Sequence, residues 1–451
     1  MSLRVICVGA GIAGLSTAIA LREHAASITL LEASESVESM NIRAAGLTVY
    51  TCGANIMRDT LGLDPVGDVS AVQGHSIRAI NWTSGSLDRE IVPPTDDWYM
   101  AHRGSLLDAL RSRATSPGGK GRAAKLLLGK IVTEIDVEAG RVLTSDGSVF
   151  EGDLIVGGDG VRSETRKAVV DKAIVQPSGL SIYRWTLTPV DWAGLPDKGA
   201  IDALIGPEAR CIVTSDAKDM RLVTYRCHSS GLVNGALILP DHRLPFTSED
   251  WTTAGSVEHL QSLVQDMGEP LKRIVGCVKS CGLWQLRKQA PLRTWFKAKA
   301  IILGDAAHPM LPFQAVAGAL AMEDAEALQY ALGQVGWIPA RVPEALDLTF
   351  RLRFLRCSVI QHFSNSSPFD AGTMEKASTW SLENTATNAV AAVPLARDGA
   401  DDKVQQAIAT RVNANAGAFD VRATSGWVMN YKSAAAFSES QAAYILDKAF
   451  V

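Results

Sequence analysis

The residues best suited to chemistry come at the very start of the chain. In RVICVGAGIAGLSTAIALREHAASITLLEAS, Gly9, Gly11 and Gly14 form G-x-G-x-x-G, and Glu32 follows eighteen residues after Gly14. Each glycine has a separate task. Gly9 permits a tight turn, Gly11 lets backbone approach a pyrophosphate, and Gly14 lets a helix pack closely on a strand. The start of that helix offers free N–H groups and a positive dipole end to the phosphates. A carboxylate at Glu32 accepts hydrogen bonds from both hydroxyls of an adenosine ribose and disfavours a phosphate there. The pattern predicts a tightly held dinucleotide, FAD or NAD rather than NADP.

Two further clusters sit at the ends of apolar runs. In VFEGDLIVGGDGVRSETRKAV, Asp159-Gly160 makes a turn after Asp153 to Val156, and Arg162 to Thr165 opens a helix. In AKAIILGDAAHPMLPFQAVAGALAMEDAEAL, Asp305 ends the run Ala300 to Leu303, and His308, a proline-framed bend and a helix follow. Ligands of open α/β sheets bind just outside the carboxyl ends of the strands. From residue types alone, Asp305 and His308 fit a metal site, an acid/base pair or the entry to a helix that grips an anion. No further ligands cluster in sequence near them, which weighs against metal. Glu323-Asp324 follow at helical spacing and read as a brace.

These motifs require a particular scaffold. Arg4 to Val8 and Ile28 to Leu31 read as strands buried on both faces, with a helix over Leu15 to Arg22 between them. The fold class is therefore α/β. Strand-like alternation at RCIVTS, MRLVTYRC and NGALILP predicts a separate β-sheet within 179–283, and LTFRLRFLRCSVIQHF reads as an amphipathic basic helix packed on the nucleotide unit. The chain has 451 residues, 47% of them hydrophobic, and a net charge of −4 with no basic block, so nucleic acid is not an expected partner. No long charge-free apolar stretch predicts a membrane span. The seven cysteines are an odd number at low density, which predicts reduced thiols and a cytoplasmic protein.

The three motifs, in this order, resemble the single-component FAD-dependent aromatic hydroxylases, and most of all their salicylate-hydroxylase-like branch with its fungal natural-product enzymes. AHRGSLLDAL and the late GWVMNY resemble further elements of that family. The resemblance implies a Rossmann-like, discontinuous FAD-binding domain (1–75, 100–175 and 285–340). It implies a β-sheet substrate domain (76–99 and 176–284) and a C-terminal helical region (341–451). It also implies site residues. Gly9, Gly11, Gly14 and Glu32 hold the adenosine half of FAD. Ala45, or its neighbour Gly46, packs near the flavin, Arg103 reaches the phosphate–ribityl region, and Asp305 takes the ribityl chain. The helix start containing Ala317 and Gly318 faces the flavin's pyrimidine edge. Asp159 helps to hold FAD and to dock NAD(P)H transiently, and His308 is a turn residue.

Arg184 and Tyr225 are the implied catalytic pair that binds and ionises a phenol, though both also fit ordinary sheet positions. Trp82, Trp98, Trp185 and Trp284 are candidates to line an apolar pocket. The implied reaction takes NAD(P)H and O2 through a flavin hydroperoxide. It hydroxylates or epoxidises an aromatic, indole, polyketide or terpenoid-type molecule, in a monomer or homodimer. A cyclase, rearrangement or dehydrogenation on the same fold is the alternative. One departure stands out. Where the family usually has Gln-Gly, this chain has Val316-Ala317, and the extra methyl groups are expected where backbone comes nearest the flavin.

Overall fold

The computed structural model describes residues 3–365, except 42–44, 94–96, 172, 174, 197, 207–208, 217 and 249–252. The GWVMNY segment and most of the C-terminal helical region lie outside the described residues.

One sheet carries the three motifs. Its order is Phe296–Lys297, Ala300–Ile302, Leu154–Gly157, Arg4–Val8, Ser27–Leu31 and Lys125–Leu127. Every pairing is parallel except that of the short edge strand Phe296–Lys297. The central strands are unbroken apolar runs because layers cover both faces. The helix Ile12–Leu21, buried from Ala13 through Leu21, packs against the helices Arg103–Thr115 and Ala317–Gln334. The helix Glu164–Val169 packs against Ala300–Ile302 and against a small antiparallel sheet of residues 132–151. The carboxyl ends of Arg4–Val8, Leu154–Gly157 and Ala300–Ile302 thus lie side by side, and each leads into one of the three turns.

The second sheet has the order Ala254–Gly255, Cys281–Lys288, Gln176–Leu187, Val233–Pro240, Arg221–Arg226, Ala209–Ser215, Val72–Ile80, Tyr99–His102 and Gly46–Val49, with Leu87–Ile91 also paired to Val72–Ile80. Alternation separates its faces. Tyr183, Trp185, Leu237 and Leu222 point to one side and form a second core with Ile201, Leu260 and Ile274 from covering helices. Ile182, Arg184, Asn234, Ala236, Ile238, Arg221, Val223 and Tyr225 share the other side by cross-strand register. This other face fronts the nucleotide unit. Tyr225 joins the core of that unit, and Phe313 from the bend after Asp305 packs on Ile182, Ala236 and Ile238.

The faces correct the reading of the tryptophans. Trp82 and Trp185 lie in the second core, and Trp98 is 1% exposed beneath Gly74. Trp284 alone of the four borders the face that carries Arg184. The basic amphipathic helix, Val342–Asn365, packs on Ala317–Gln334 as expected. Among the described residues no helix is long and apolar enough to cross a membrane.

Candidate active site

The first turn separates glycines that the fold needs from one that it does not. Gly9 has φ 88°, and its N–H donates to the Leu31 carbonyl at 2.7 Å. A methyl group on Gly9 would lie 2.7 Å from the Gly158 oxygen, and one on Gly14 only 2.0 Å from the Gly9 oxygen. Above Gly11 the nearest atom to such a methyl would be 3.8 Å away, so protein packing does not demand a glycine there. The space suits an incoming phosphate. Gly11 is also the N-cap of Ile12–Leu21 and offers no side-chain cap, so the first helical N–H groups remain for a ligand. Glu32 is held ready. Its Oε2 accepts from Ala10 N at 2.8 Å and its Oε1 from Ser34 N at 2.9 Å, leaving a lone pair on each oxygen.

The two glycines should therefore fail differently. Gly14→Ala is expected to cost about 3 kcal/mol of stability or more through the backbone clash. Gly11→Ala should stay within about 1 kcal/mol of wild type yet weaken FAD binding. Thermal midpoints without FAD and flavin fluorescence titrations check both halves.

The second and third turns are tied together by a residue that the sequence reading did not single out. Arg166 is 5% exposed; its Nη1 donates to the Ala306 carbonyl at 2.8 Å and its Nη2 to the Val161 carbonyl. Asp159 braces its own turn. Its oxygens accept from Ser163 Oγ at 2.6 Å and from Thr165 N at 2.9 Å. Burial raises the Asp159 pKa, and these bonds oppose the shift. Asp305 is an exposed residue of this turn, and desolvation raises its pKa against the pull of His308, Arg103 and Arg166. Arg103 begins its helix, and its N–H donates to the Ala45 carbonyl at 2.8 Å. Gly46 N donates to Asn234 Oδ1 at 2.8 Å, and a methyl on Gly46 would lie 2.7 Å from the Tyr225 ring. Ala45, Arg103 and Asp305 are thus brought together beside the sheet face that holds Tyr225.

At the third turn Val316 is the N-cap of Ala317–Gln334, and its side chain is 1% exposed and packs with the core. The start itself has no side-chain cap, which leaves the N–H groups of Ala317 and Gly318 to a ligand as in the first turn. Before it, exposed Ala315 adopts φ 54°, a left-handed conformation. Ala315→Gly should stabilise the protein by about 1 kcal/mol, read as a higher thermal midpoint.

Behind this turn lies a buried ionic network. Asp324 accepts from Gly304 N at 2.9 Å and from Arg353 Nε at 2.9 Å, and its Oδ2 lies 2.7 Å from His308 Nε2. Glu323 pairs with Arg356 at 2.7 Å and with Arg353 at 2.6 Å. Burial alone would lower the His308 pKa, but contacts with Cys357 and Asp324 outweigh it and hold it well above the usual value. His308, Asp324 and Cys357 do come within 4.8 Å of one another. Arg353 already neutralises Asp324, however, so a metal ion would have to sit beside a guanidinium. The network fixes the Gly304–Ala306 turn through the Asp324 bond to Gly304 N.

Across from these turns, Arg184 occupies the sheet face with a buried Nε that has no hydrogen-bond partner. Its guanidinium lies 5.7 Å from the Trp284 ring. Burial lowers the Arg184 pKa, and Tyr225 is near enough to oppose that shift. Burial pushes the Tyr225 phenol well above its ordinary value, so it stays protonated at neutral pH. The arrangement joins a dinucleotide cradle to a facing sheet whose cation lacks a counter-charge.

Residues 2–337 match the family described as FAD binding domain. The chain belongs to the FAD-dependent monooxygenases of the salicylate-hydroxylase type. The hispidin-3-hydroxylase of Neonothopanus nambi is 30% identical to this monooxygenase over 340 residues, covering 72% of this chain and 79% of that one. The salicylate hydroxylase of Pseudomonas putida is 24% identical over 386 residues, covering 81% and 85%. In fold, the monooxygenase is similar to a salicylate hydroxylase substrate complex, with TM-score 0.69, 21% identity, and 97% and 98% of the two chains covered. It is likewise similar to CtdE in complex with FAD, with TM-score 0.68, 22% identity, and 81% and 92% covered. The residues present fit FAD: an open space above Gly11, an anchored Glu32 and two helix starts without side-chain caps.

Proposed function

We propose that this monooxygenase uses NAD(P)H and O2 to hydroxylate a small phenolic aromatic molecule. Bound FAD would carry electrons from NAD(P)H to O2 and activate the oxygen for transfer. Gly9, Gly11, Gly14 and Glu32 would hold its adenosine half, and Arg103, Asp305, Ala45 and the helix start at Ala317-Gly318 its flavin half. Asp159 would support the cofactor indirectly by keeping its turn in shape.

The observation that carries the substrate reading is the part-buried Arg184 beside Tyr225, whose buried Nε has no hydrogen-bond partner. A fixed cation favours the ionised form of a phenol and lowers its pKa. The phenolate is a stronger carbon nucleophile than the phenol. Tyr225, kept protonated by burial, is a hydrogen-bond donor to the same oxygen and cannot act as its base at neutral pH. Trp284 and Phe313 border the face and would keep water from the reacting oxygen. The seven free cysteines, five of them buried, support a reducing, intracellular setting.

The test is stoichiometry. Yellow holoenzyme should oxidise NAD(P)H and consume O2 in equal amounts, stimulated by a phenolic substrate and yielding a product heavier by one oxygen. Turnover that needs neither NAD(P)H nor O2 would overturn the proposal in favour of a cyclisation or rearrangement.

A further inference from the structure

Part of the second sheet closes on itself. From Val233–Pro240 the order runs through Arg221–Arg226, Ala209–Ser215, Val72–Ile80 and Tyr99–His102 to the last strand, Gly46–Val49. That last strand returns to the first of them, because Gly46 N donates to Asn234 Oδ1 at 2.8 Å. The six strands thus form a ring, and a single side-chain hydrogen bond makes its seam. Space at the seam is tight. A methyl group on Gly46 would lie 2.6 Å from Asn234 Cβ and 2.7 Å from the ring of Tyr225, which register places beside Asn234.

The same hydrogen bond completes the grip on one peptide unit. The Ala45 carbonyl accepts from Arg103 N at 2.8 Å, and the N–H of that peptide is the one Gly46 gives to Asn234. A planar peptide held at both its acceptor and its donor is pinned against rotation. The two holds come from different units: Arg103 begins the helix Arg103–Thr115, and Asn234 lies in the strand Val233–Pro240 of the facing sheet. Asn234 has little freedom of its own. It is 2% exposed, it pairs with Thr186 on one side and Tyr225 on the other, and its carbonyl also accepts from Thr224 Oγ1 at 2.9 Å.

We infer that Asn234 is a positioning residue: it fixes the Ala45–Gly46 peptide from the sheet that carries Tyr225, and so sets where the flavin half of FAD lies against that sheet. This rests on the placement of Ala45 beside the flavin proposed above. Without the Asn234 oxygen, the Gly46 N–H loses its acceptor and the peptide is held from the Arg103 side alone.

The test compares Asn234→Leu, similar in shape but without an acceptor, with Asn234→Asp, which keeps one. Thr224→Val is the control. It removes a buried hydrogen bond to the same residue from the other face of the sheet and leaves the seam intact. The readouts, on the full chain, are the FAD dissociation constant from flavin fluorescence and the visible absorbance of bound flavin. Asn234→Leu should weaken FAD at least about tenfold, one decade of affinity, and shift the absorbance of the flavin that remains bound. Asn234→Asp should keep FAD affinity within about threefold of wild type, half a decade. Thr224→Val should lower the thermal midpoint while affinity and spectrum stay those of wild type. If Asn234→Leu does not fold, Asn234→Ser carries the same expectation, because its oxygen is too short to reach Gly46 N.

Three results overturn the inference: wild-type FAD affinity and spectrum in Asn234→Leu, a loss in Asn234→Asp as large as in Asn234→Leu, or the same loss in Thr224→Val. Ala45→Val tells the two readings apart. A flavin spectrum that moves in Ala45→Val but not in Asn234→Leu would keep Ala45 beside the flavin and remove the role of Asn234. Spectra unmoved in both would remove the placement of Ala45 itself.

Discussion

Arg184→Met is expected to lower kcat/KM for a phenolic substrate by about 100- to 1,000-fold, the range for removing a buried charge from a charge-assisted pair. FAD content and the flavin spectrum should be unchanged, because Arg184 stands on the sheet face and not in the turns around Gly11, Asp159 or Asp305. The pH profile carries the sharper part of this prediction. With Arg184 in place the phenol ionises below its solution pKa, since the guanidinium favours the charged form. In Arg184→Met the acid limb of kcat, which reports the enzyme–substrate complex, should move upward toward the solution pKa of the phenol. A uniform loss with an unmoved limb would make Arg184 a structural residue. Tyr225→Phe should leave the limb nearer its wild-type position, because Tyr225 contributes a hydrogen bond rather than a charge.

Arg353→Met should cost about 3–5 kcal/mol of stability, the usual penalty for leaving a buried charge uncompensated. The variant strips one guanidinium from Glu323 and Asp324, both 0% exposed. The pairing also sets a pH dependence. Desolvation would raise both carboxyl groups, but the arginines, with His308 on Asp324, outweigh it and hold them low. A carboxyl group whose folded pKa is depressed stabilises the fold above its unfolded value, about 4, and that contribution is lost as pH falls through the folded pKa. His308 acts with the opposite sign. Its folded pKa is raised, so its contribution is complete below about 6.5 and fades as pH climbs through the raised value. Wild-type thermal midpoints should therefore fall off on both sides of a plateau, and Arg353→Met should flatten the acid side. Because Asp324 also receives Gly304 N, the variant should loosen the Asp305 turn and weaken FAD retention.

The nucleotide turns were legible because their glycines and acids act through backbone geometry, which short spacings encode. Gly14 is required by a contact inside one strand–turn–helix unit, Gly9 by its own left-handed turn and by the Gly158 oxygen of the second turn, and Glu32 sits one strand away. The sheet was legible as alternation, but its two faces were only half used. Arg184 and Trp185 are adjacent on one strand and cannot both face the site, so parity alone would have sent Trp185 to the second core.

Arg353 and Arg356 read as the basic face of an amphipathic helix. Their burial follows from Glu323-Asp324 on a different helix, and one-dimensional spacing does not carry that pairing. Val316 marks a further limit. Its identity breaks the family pattern, but the burial of its side chain is visible only once the fold is known. Arg166, which ties the Asp159 turn to the Asp305 turn, left no sequence signal beyond a charge in a short helix.

The central claim is that this enzyme transfers an atom of O2 to its substrate at the face that holds Arg184 and Tyr225. The most direct measurement is turnover of holoenzyme with NAD(P)H and a phenolic substrate under isotopically heavy O2, with product mass as the readout. The account predicts that each newly introduced hydroxyl oxygen is heavy and that Arg184→Met suppresses the labelled product. Product whose new oxygen comes from water, or product formed without O2, would contradict it.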